Sequence, residues 1–105
     1  MITARFIEKD GNAVGFEISG HACFADGNDI VCASVSSAAY LTANGITEVL
    51  LCRAYASDNA NGEMEFRLLE NNDAARQMIR SLAFHLEHLA EDYPKNLKVF
   101  FDTEV

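Results

Sequence analysis

Residues 29–50, which read DIVCASVSSAAYLTANGITEVL, decide the fold. Apolar and small side chains recur there at the spacing of one helical face, which predicts an amphipathic helix with a buried stripe; the stripe consists of Val31, Val35, Ala38, Thr42, Ile46 and Val49. Asp29 directly precedes the stripe and is a good N-cap. Asn44-Gly45 could end the helix early, because glycine costs about 1 kcal/mol relative to alanine inside a helix. The stripe continues in register beyond Gly45, which favours one helix to about Leu50.

Two alternating segments precede this helix. Thr3 to Lys9 and Ala13 to Ser19 each place their larger apolar residues on one face, as half-buried strands do. The residues between them, Lys9-Asp10-Gly11-Asn12, have the turn chemistry of a hairpin. The first elements are therefore predicted to be a β-hairpin followed by the helix.

A second hairpin, a second helix and a last strand are predicted downstream. Cys52 to Ser57 and Glu63 to Leu69 flank a run of turn formers, and Asn72 can cap the helix that follows. That helix has its own apolar stripe of Ala75, Met78, Ile79, Leu82, Leu86 and Leu89, and the final strand alternates through Leu97, Val99 and Phe101. The order ββαββαβ predicts an α+β fold: a two-layer sandwich of one mostly antiparallel sheet with both helices on one face.

Length and charge limit the functions that are compatible with the chain. Its 105 residues suit one domain spanning 1–105. Eight Lys and Arg against sixteen Asp and Glu give a net charge of -8, which opposes a nucleic-acid backbone and attracts a basic polypeptide. No direct nucleic-acid ligand is expected.

The sequence also predicts the cellular location of the chain and the redox state of its cysteines. No apolar run approaches the roughly 20 residues that span a bilayer, and the N-terminus lacks the regions of a signal peptide. We therefore expect no membrane association and a cytoplasmic location. The three cysteines are an odd number, which fits reduced thiols better than a disulfide framework.

The chemically suggestive segment is residues 20–36, which read GHACFADGNDIVCASVS. If Asp29 caps the helix, Cys32 lies in the first turn, where free backbone N–H groups and the positive end of the helix dipole favour a thiolate. The residues between His21 and Cys32 include Gly27 and are numerous enough to fold back. They could bring the His21 imidazole beside the sulfur as a general base.

Other interpretations of the same residues stay open. A cysteine early in a helix is often a small hydrophobic side chain, and Asp29 needs no role beyond capping. Ser36 lies one turn after Cys32 and forms, with Ala39 and Ala43, a row of small side chains that would let another element pack closely. A redox pair with Cys23 lacks the Cys-x-x-Cys spacing, and a structural zinc needs four ligands where at most three lie here. We expect neither a metal nor a cofactor.

One residue of the second helix lies on the wrong face for the core. Helical spacing places Phe84 opposite the apolar stripe, among polar and charged side chains. A solitary ring there marks a candidate subunit contact, although single exposed aromatics also occur without a role.

The joined histidine and cysteine motifs resemble the bacterial ribosomal-processing cysteine proteases, the Prp family. The resemblance rests on Gly20-His21-Ala22, a short glycine-containing loop, and Asp29-Ile30-Val31-Cys32-Ala33 with Ser36. It implies a homodimeric cysteine endopeptidase that removes a short N-terminal extension from a large-subunit ribosomal protein precursor, cutting after paired aromatic residues and before a small one.

The same resemblance implies residue roles. Cys32 matches the nucleophile and His21 the general base, while Asp29 and Ser36 match positions of the motif for which we predict capping and local hydrogen bonding. The loop carrying Gly27 is expected to be mobile. Cys23 departs from the pattern, and if this thiol reaches Cys32, its oxidation would silence the enzyme.

Two rival functions remain compatible with the sequence. A noncatalytic acidic adaptor would bind a basic ribosomal protein and leave it uncleaved. A thiol redox protein would use Cys23 and Cys32 as its pair.

Overall fold

The computed structural model describes residues 1–20, 29–59 and 62–104. Its elements follow the predicted order and are β1 Ile2–Lys9, β2 Asn12–Ser19, α1 Asp29–Asn44 with a π-helical segment Gly45–Val49, β3 Ala54–Asp58, β4 Met64–Leu68, α2 Asp73–Asp92 and β5 Leu97–Thr103. The α+β class and the order ββαββαβ are therefore confirmed. Strand β3 begins later than predicted, because Cys52 and Arg53 precede its pairing with β4.

The five strands form one sheet in the order β3-β4-β2-β1-β5. The pairs β3-β4, β4-β2 and β2-β1 are antiparallel, and β5 runs parallel to β1 at the edge. This arrangement confirms the prediction of a mostly antiparallel sheet. The parallel pair follows from α2, which returns the chain across the sheet before β5 begins.

A row of four phenylalanines crosses the sheet on one face. Phe66 lies opposite Phe16, Phe16 opposite Phe6, and Phe6 opposite Phe101. The ring centroids of these three pairs are 5.3, 6.0 and 5.8 Å apart in that order. Facing pairs of this kind stabilise adjacent strands, and the row sets the register of β4, β2, β1 and β5.

Both helices cover the face that carries the phenylalanine row. The apolar residues of that face form one buried cluster with residues from both helices, namely Val31, Val35, Ala39 and Ala43 of α1 and Ala75, Ile79, Leu82, Ala83 and Leu86 of α2. The two-layer arrangement is thus explained by one continuous core. Asn72 caps α2 as predicted, since its side-chain Oδ1 accepts a hydrogen bond from the Ala75 N–H at 3.0 Å.

The buried stripe of α1 differs in part from the predicted one. Ala39 and Ala43, predicted to lie beside the core, are buried within it, whereas Ala38 is only half-buried. Val49 was predicted to be buried and is 78% exposed. The change of helical pitch after Asn44 explains the second difference, because a wider π turn rotates later residues away from the stripe.

The π-helical segment resolves the two predictions for Gly45. The α-helical pattern ends at Asn44, yet the helix continues to Val49, with the Leu50 N–H donating to the Gly45 carbonyl at 2.9 Å. A Cβ on Gly45 would lie 2.6 Å from Cε of Met78 on α2. Glycine at this position therefore lets the two helices approach closely.

Residues Ile30–Val49 have the length and composition of a membrane span, which differs from the sequence prediction that no stretch approaches one. Their mean hydropathy is 1.2, and 33% of the window is buried inside the fold. A core helix passes the same test, and Val31, Val35 and Ile46 place this one in the core.

The opposite face of the sheet carries ion pairs. Arg5 bridges Glu17 on β2 and Asp102 on β5, both at 2.8 Å. Farther along, the Arg67 side chain pairs with Glu104 and lies over Gly15, where a Cβ would be 2.6 Å from Arg67 Cδ and too close to the Phe66 carbonyl oxygen. Gly15 is therefore required by space.

We predict that Gly15→Ala lowers the free energy of unfolding by about 1–3 kcal/mol, because the added methyl group meets backbone and forces the strands apart. Urea denaturation followed by circular dichroism measures the change. Gly45→Ala is the matched control, since its methyl group meets only the flexible end of Met78 and should change stability by less than about 1 kcal/mol. Equal losses in both variants would contradict this explanation.

Candidate active site

The candidate site lies where the strand ends meet the start of α1. A pocket of about 60 Å³ opens there, lined by Ile2, Ile18, Gly20, Cys32, Val35, Ser36 and Gly62. Larger grooves exist elsewhere on the described surface, but none of those described contains Cys32. The pocket brings together three of the sequence-predicted site residues: Gly20, Cys32 and Ser36.

Cys32 occupies the first turn of α1 as the fourth residue of the helix. It is half-buried and packs against the core cluster, so it is neither sealed in the interior nor fully exposed. The positive end of the helix dipole acts on this turn and favours an anion there. In the structure Cys32 is disulfide-bonded, which differs from the reduced thiols expected from the odd number of cysteines. Once the bond is reduced, the position suits a thiolate that a substrate reaches from the pocket.

Gly20 has a backbone conformation that only glycine adopts without strain. Its φ is +102°, and a Cβ would clash with the Met1 carbonyl oxygen. The N-terminal residue and the end of β2 therefore approach closely beside the pocket. The predicted base, His21, follows Gly20 directly in the sequence.

The remaining predicted site residues have different outcomes. The helix α1 begins with Asp29 itself, one residue earlier than a cap at that position implies, and the Asp29 side chain lies outside the described structure. His21, Cys23 and Gly27 also lie outside the described residues. Ser36 is half-buried in the pocket lining one turn after Cys32.

Sequence reasoning missed the β3–β4 hairpin as a part of this site. Gly62 lines the pocket, and Asp58 at the end of β3 accepts a hydrogen bond from the Tyr40 hydroxyl. The sequence does contain a signal for Tyr40, because Cys32, Ser36 and Tyr40 follow one another at intervals of four residues and share a helical face. The contribution of the hairpin depends on strand pairing between distant segments, which helical spacing does not reveal.

Cys52 has the environment of an unreactive thiol. It is 3% exposed, and burial, followed by the charge of Glu70, raises the pKa of the thiol. Its Sγ lies 3.6 Å from the Arg53 carbonyl oxygen, consistent with a weak hydrogen bond. This environment indicates that Cys52 packs in the core. Within residues 1–20, 29–59 and 62–104, no three His, Cys, Asp or Glu side chains cluster as metal ligands would.

Comparison with known proteins assigns the family. Residues 1–98 match the family described as cysteine protease Prp. The chain belongs to the Prp cysteine protease family. The match covers nearly the whole chain, including every residue of the pocket described above, and confirms the resemblance drawn from the histidine and cysteine motifs.

Curated and solved relatives agree with this assignment. A ribosomal processing cysteine protease Prp of Staphylococcus aureus is 26% identical over 96 residues, which cover 89% of this chain and 91% of the relative. A crystal structure from Streptococcus mutans matches with a TM-score of 0.90 at 25% identity, covering 99% of this chain and 96% of that one. The S. aureus protease in complex with a covalently linked product peptide has a TM-score of 0.88 at 27% identity, covering 97% and 100% of the two chains.

We predict that Cys32 is alkylated at least tenfold faster than Cys52 in the reduced protein at pH 7. Only the thiolate reacts, and the buried Cys52, whose pKa is raised, holds little thiolate at neutral pH. Iodoacetamide labelling after reduction, followed by chymotryptic digestion and mass spectrometry, measures both rates separately, because cleavage at Phe24 and Tyr40 places the cysteines on different peptides. Equal rates would contradict the accessibility described for the pocket.

Proposed function

We propose that residues 1–105 form one cysteine endopeptidase domain that removes a short N-terminal extension from a large-subunit ribosomal protein precursor. The observation that carries this proposal is Cys32, half-buried in the first turn of α1 and lining a pocket beside Gly20. Membership of the Prp family supplies the reaction class. Its S. aureus relative is named as a ribosomal processing protease and has been solved with a substrate peptide.

In the proposed mechanism His21 removes the proton of the Cys32 thiol, and the sulfur attacks the scissile carbonyl carbon. Backbone N–H groups at the start of α1 hold the oxyanion that forms. As the C–N bond breaks, the leaving amine takes the proton from His21, and a thioester to Cys32 remains. Water, activated by His21, then attacks the thioester carbonyl and releases the acid product and the thiol.

The charge of the chain supports a basic protein as substrate. The net charge of -8 attracts the cationic surface of a ribosomal protein and repels ribosomal RNA. We therefore propose recognition of the precursor polypeptide without direct RNA contact, in the cytoplasm, where ribosomal proteins are made. Cleavage after paired aromatic residues and before a small one is the specificity that the family implies.

We predict that Cys32→Ala and Cys32→Ser each lower kcat for a precursor peptide by roughly a thousandfold or more, because both remove the nucleophile. Mass spectrometry of the incubated peptide measures the product. The reaction is run with a reductant, which keeps oxidation of Cys23 from mimicking the loss. Cys52→Ala is the control that removes a thiol outside the pocket, and its kcat should stay within about twofold of the parent where it folds.

The noncatalytic adaptor predicts the opposite outcome of the same experiment. An adaptor binds the precursor in a salt-sensitive way and leaves its mass unchanged. Undiminished cleavage by Cys32→Ala would eliminate the mechanism, and an unchanged precursor mass with the parent protein would favour the adaptor.

We further propose that the chain forms a homodimer through the outward face of α1. No charged side chain occurs from Ile30 to Thr47, although the chain as a whole is strongly acidic. Ile30 is 66% and Leu41 73% exposed on this face, with Ala33 and Ser37 between them. Two equally charged copies repel one another least where neither presents a charge, and small side chains let helices pack closely. Phe84, the contact suggested by sequence, lies beside the charged Arg80 and Glu87.

We predict that Leu41→Glu converts the dimer to a monomer, because it places two like charges against each other at the two-fold contact. Size-exclusion chromatography with light scattering measures the molecular mass. Phe84→Glu is the matched control at the other exposed apolar site and should leave the mass unchanged. If Phe84→Glu is monomeric and Leu41→Glu is still dimeric, the interface lies on α2 and the proposal for α1 is wrong.

A further inference from the structure

We infer that Tyr40 and Asp58 are positioning residues for peptide cleavage at Cys32. Their hydrogen bond holds the hairpin tip, by which we mean Asp58, Asn59, Gly62 and Glu63, against α1 and thereby fixes one wall of the substrate pocket. This inference rests on the proposed function, which it deepens by naming what shapes the cleft. Neither residue touches the reacting atoms, so both act through the hairpin.

A row of side chains along α1 leads from the pocket to the hairpin. Cys32, Ser36 and Tyr40 follow one another at intervals of one turn, so the helix presents them on one side. Cys32 and Ser36 line the pocket, and Tyr40 continues the row beyond it. The Tyr40 hydroxyl donates to Oδ2 of Asp58, the last residue of β3. The row therefore ends on a contact with the hairpin.

Hydrogen bonds join the described residues of the hairpin tip to one another. The Asn59 N–H donates to the Glu63 carbonyl at 3.1 Å, and the Gly62 N–H donates to the Asn59 carbonyl at 3.0 Å. The Glu63 N–H in turn donates to the Asn59 side chain at 3.3 Å. These bonds connect Asp58 to Gly62 through the tip, so a displacement at Asp58 is passed to the residue that lines the pocket.

The β3–β4 hairpin lies at one edge of the sheet. Strand β3 is the edge strand, and β4 is its strand partner among the described residues. Edge hairpins open locally at low cost unless another element holds them. Tyr40 supplies such a contact from α1, a separation of 18 residues along the chain. The Asp58 hydrogen bond also raises the pKa of the Tyr40 phenol, so the hydroxyl remains a donor at neutral pH.

The pocket is narrow enough for this contact to matter. Its volume is about 60 Å³, and Gly62 lies in its lining together with Cys32. If the tip moves outward, the peptide loses contacts on that side while the sulfur and its helix turn stay in place. Substrate binding is therefore expected to weaken without a comparable loss in the chemical step.

The kinetic test compares three variants with a precursor peptide. Tyr40→Phe keeps the ring and removes the donor, and Asp58→Ala removes the acceptor; each should raise KM roughly three- to tenfold, the value of one hydrogen bond, with kcat within about twofold. Asp58→Asn keeps an acceptor oxygen and should retain most of the parent KM. The double variant Tyr40→Phe/Asp58→Ala should lose no more than either single one.

Tyr55→Phe is the matched control for this series. Tyr55 is an exposed tyrosine of the same hairpin, 49% exposed, and its strand partner is Arg67 on the side of the sheet away from the pocket. Its KM should equal that of the parent. An unchanged KM in Tyr40→Phe, or an equal rise in Tyr55→Phe, would overturn the inference.

A second readout needs no turnover and separates this inference from the proposed function. Hydrogen exchange of the Gly62 and Glu63 amides should be severalfold faster in Tyr40→Phe than in the parent, while amides of α2 exchange at unchanged rates. Unchanged amide exchange at Gly62 and Glu63 would overturn the inference that Tyr40 holds the hairpin tip, even where KM rises. If Cys32→Ala remains active, the proposed nucleophile fails, and the exchange measurement still decides whether Tyr40 holds the hairpin.

Discussion

The row of four phenylalanines across the sheet is the constraint on which the rest of the structure depends. Phe6, Phe16 and Phe66 are fully buried, and each ring contacts a neighbour on the adjacent strand. Removing one such ring costs about 3–5 kcal/mol, a large part of the stability of a domain of this size. Because the side-chain period of a strand is two, the row also forbids a slip of one residue between these strands.

That register decides where the site is built. With Phe6 opposite Phe16, residue Thr3 pairs with Ser19, so β2 ends and Gly20 begins beside the start of β1. With Phe16 opposite Phe66, Met64 lies beside Ile18, which brings the β3–β4 tip to the same edge. The start of α1 then covers this edge with Cys32. The pocket is a consequence of strand pairing, and its three walls come from segments far apart in the chain.

Much of this could be predicted from sequence because it depends on local patterns. Alternation in β1 and β2 and the cap at Asn72 were each predicted from neighbouring residues, and the structure contains them. The helix stripe was predicted less well, since nothing local indicates that a π turn after Asn44 turns Val49 outward. Within the site, Cys32 and Gly20 belong to a contiguous motif, whereas Gly62 joins them only through the sheet.

The different neighbours of α1 explain why the sides of this helix differ in composition. Its inner side must be small and apolar to fit over the sheet, as Ala39 and Ala43 do with full burial. The side toward the hairpin carries Cys32, Ser36 and Tyr40, which contribute a sulfur and two hydroxyl groups. A lysine or arginine on this row would compete for the carboxylate of Asp58 and occupy the narrow pocket. The lack of Asp, Glu, Lys and Arg from Ile30 to Thr47 thus favours core packing and an open cleft at once, and leaves an outward face that can meet a second apolar surface.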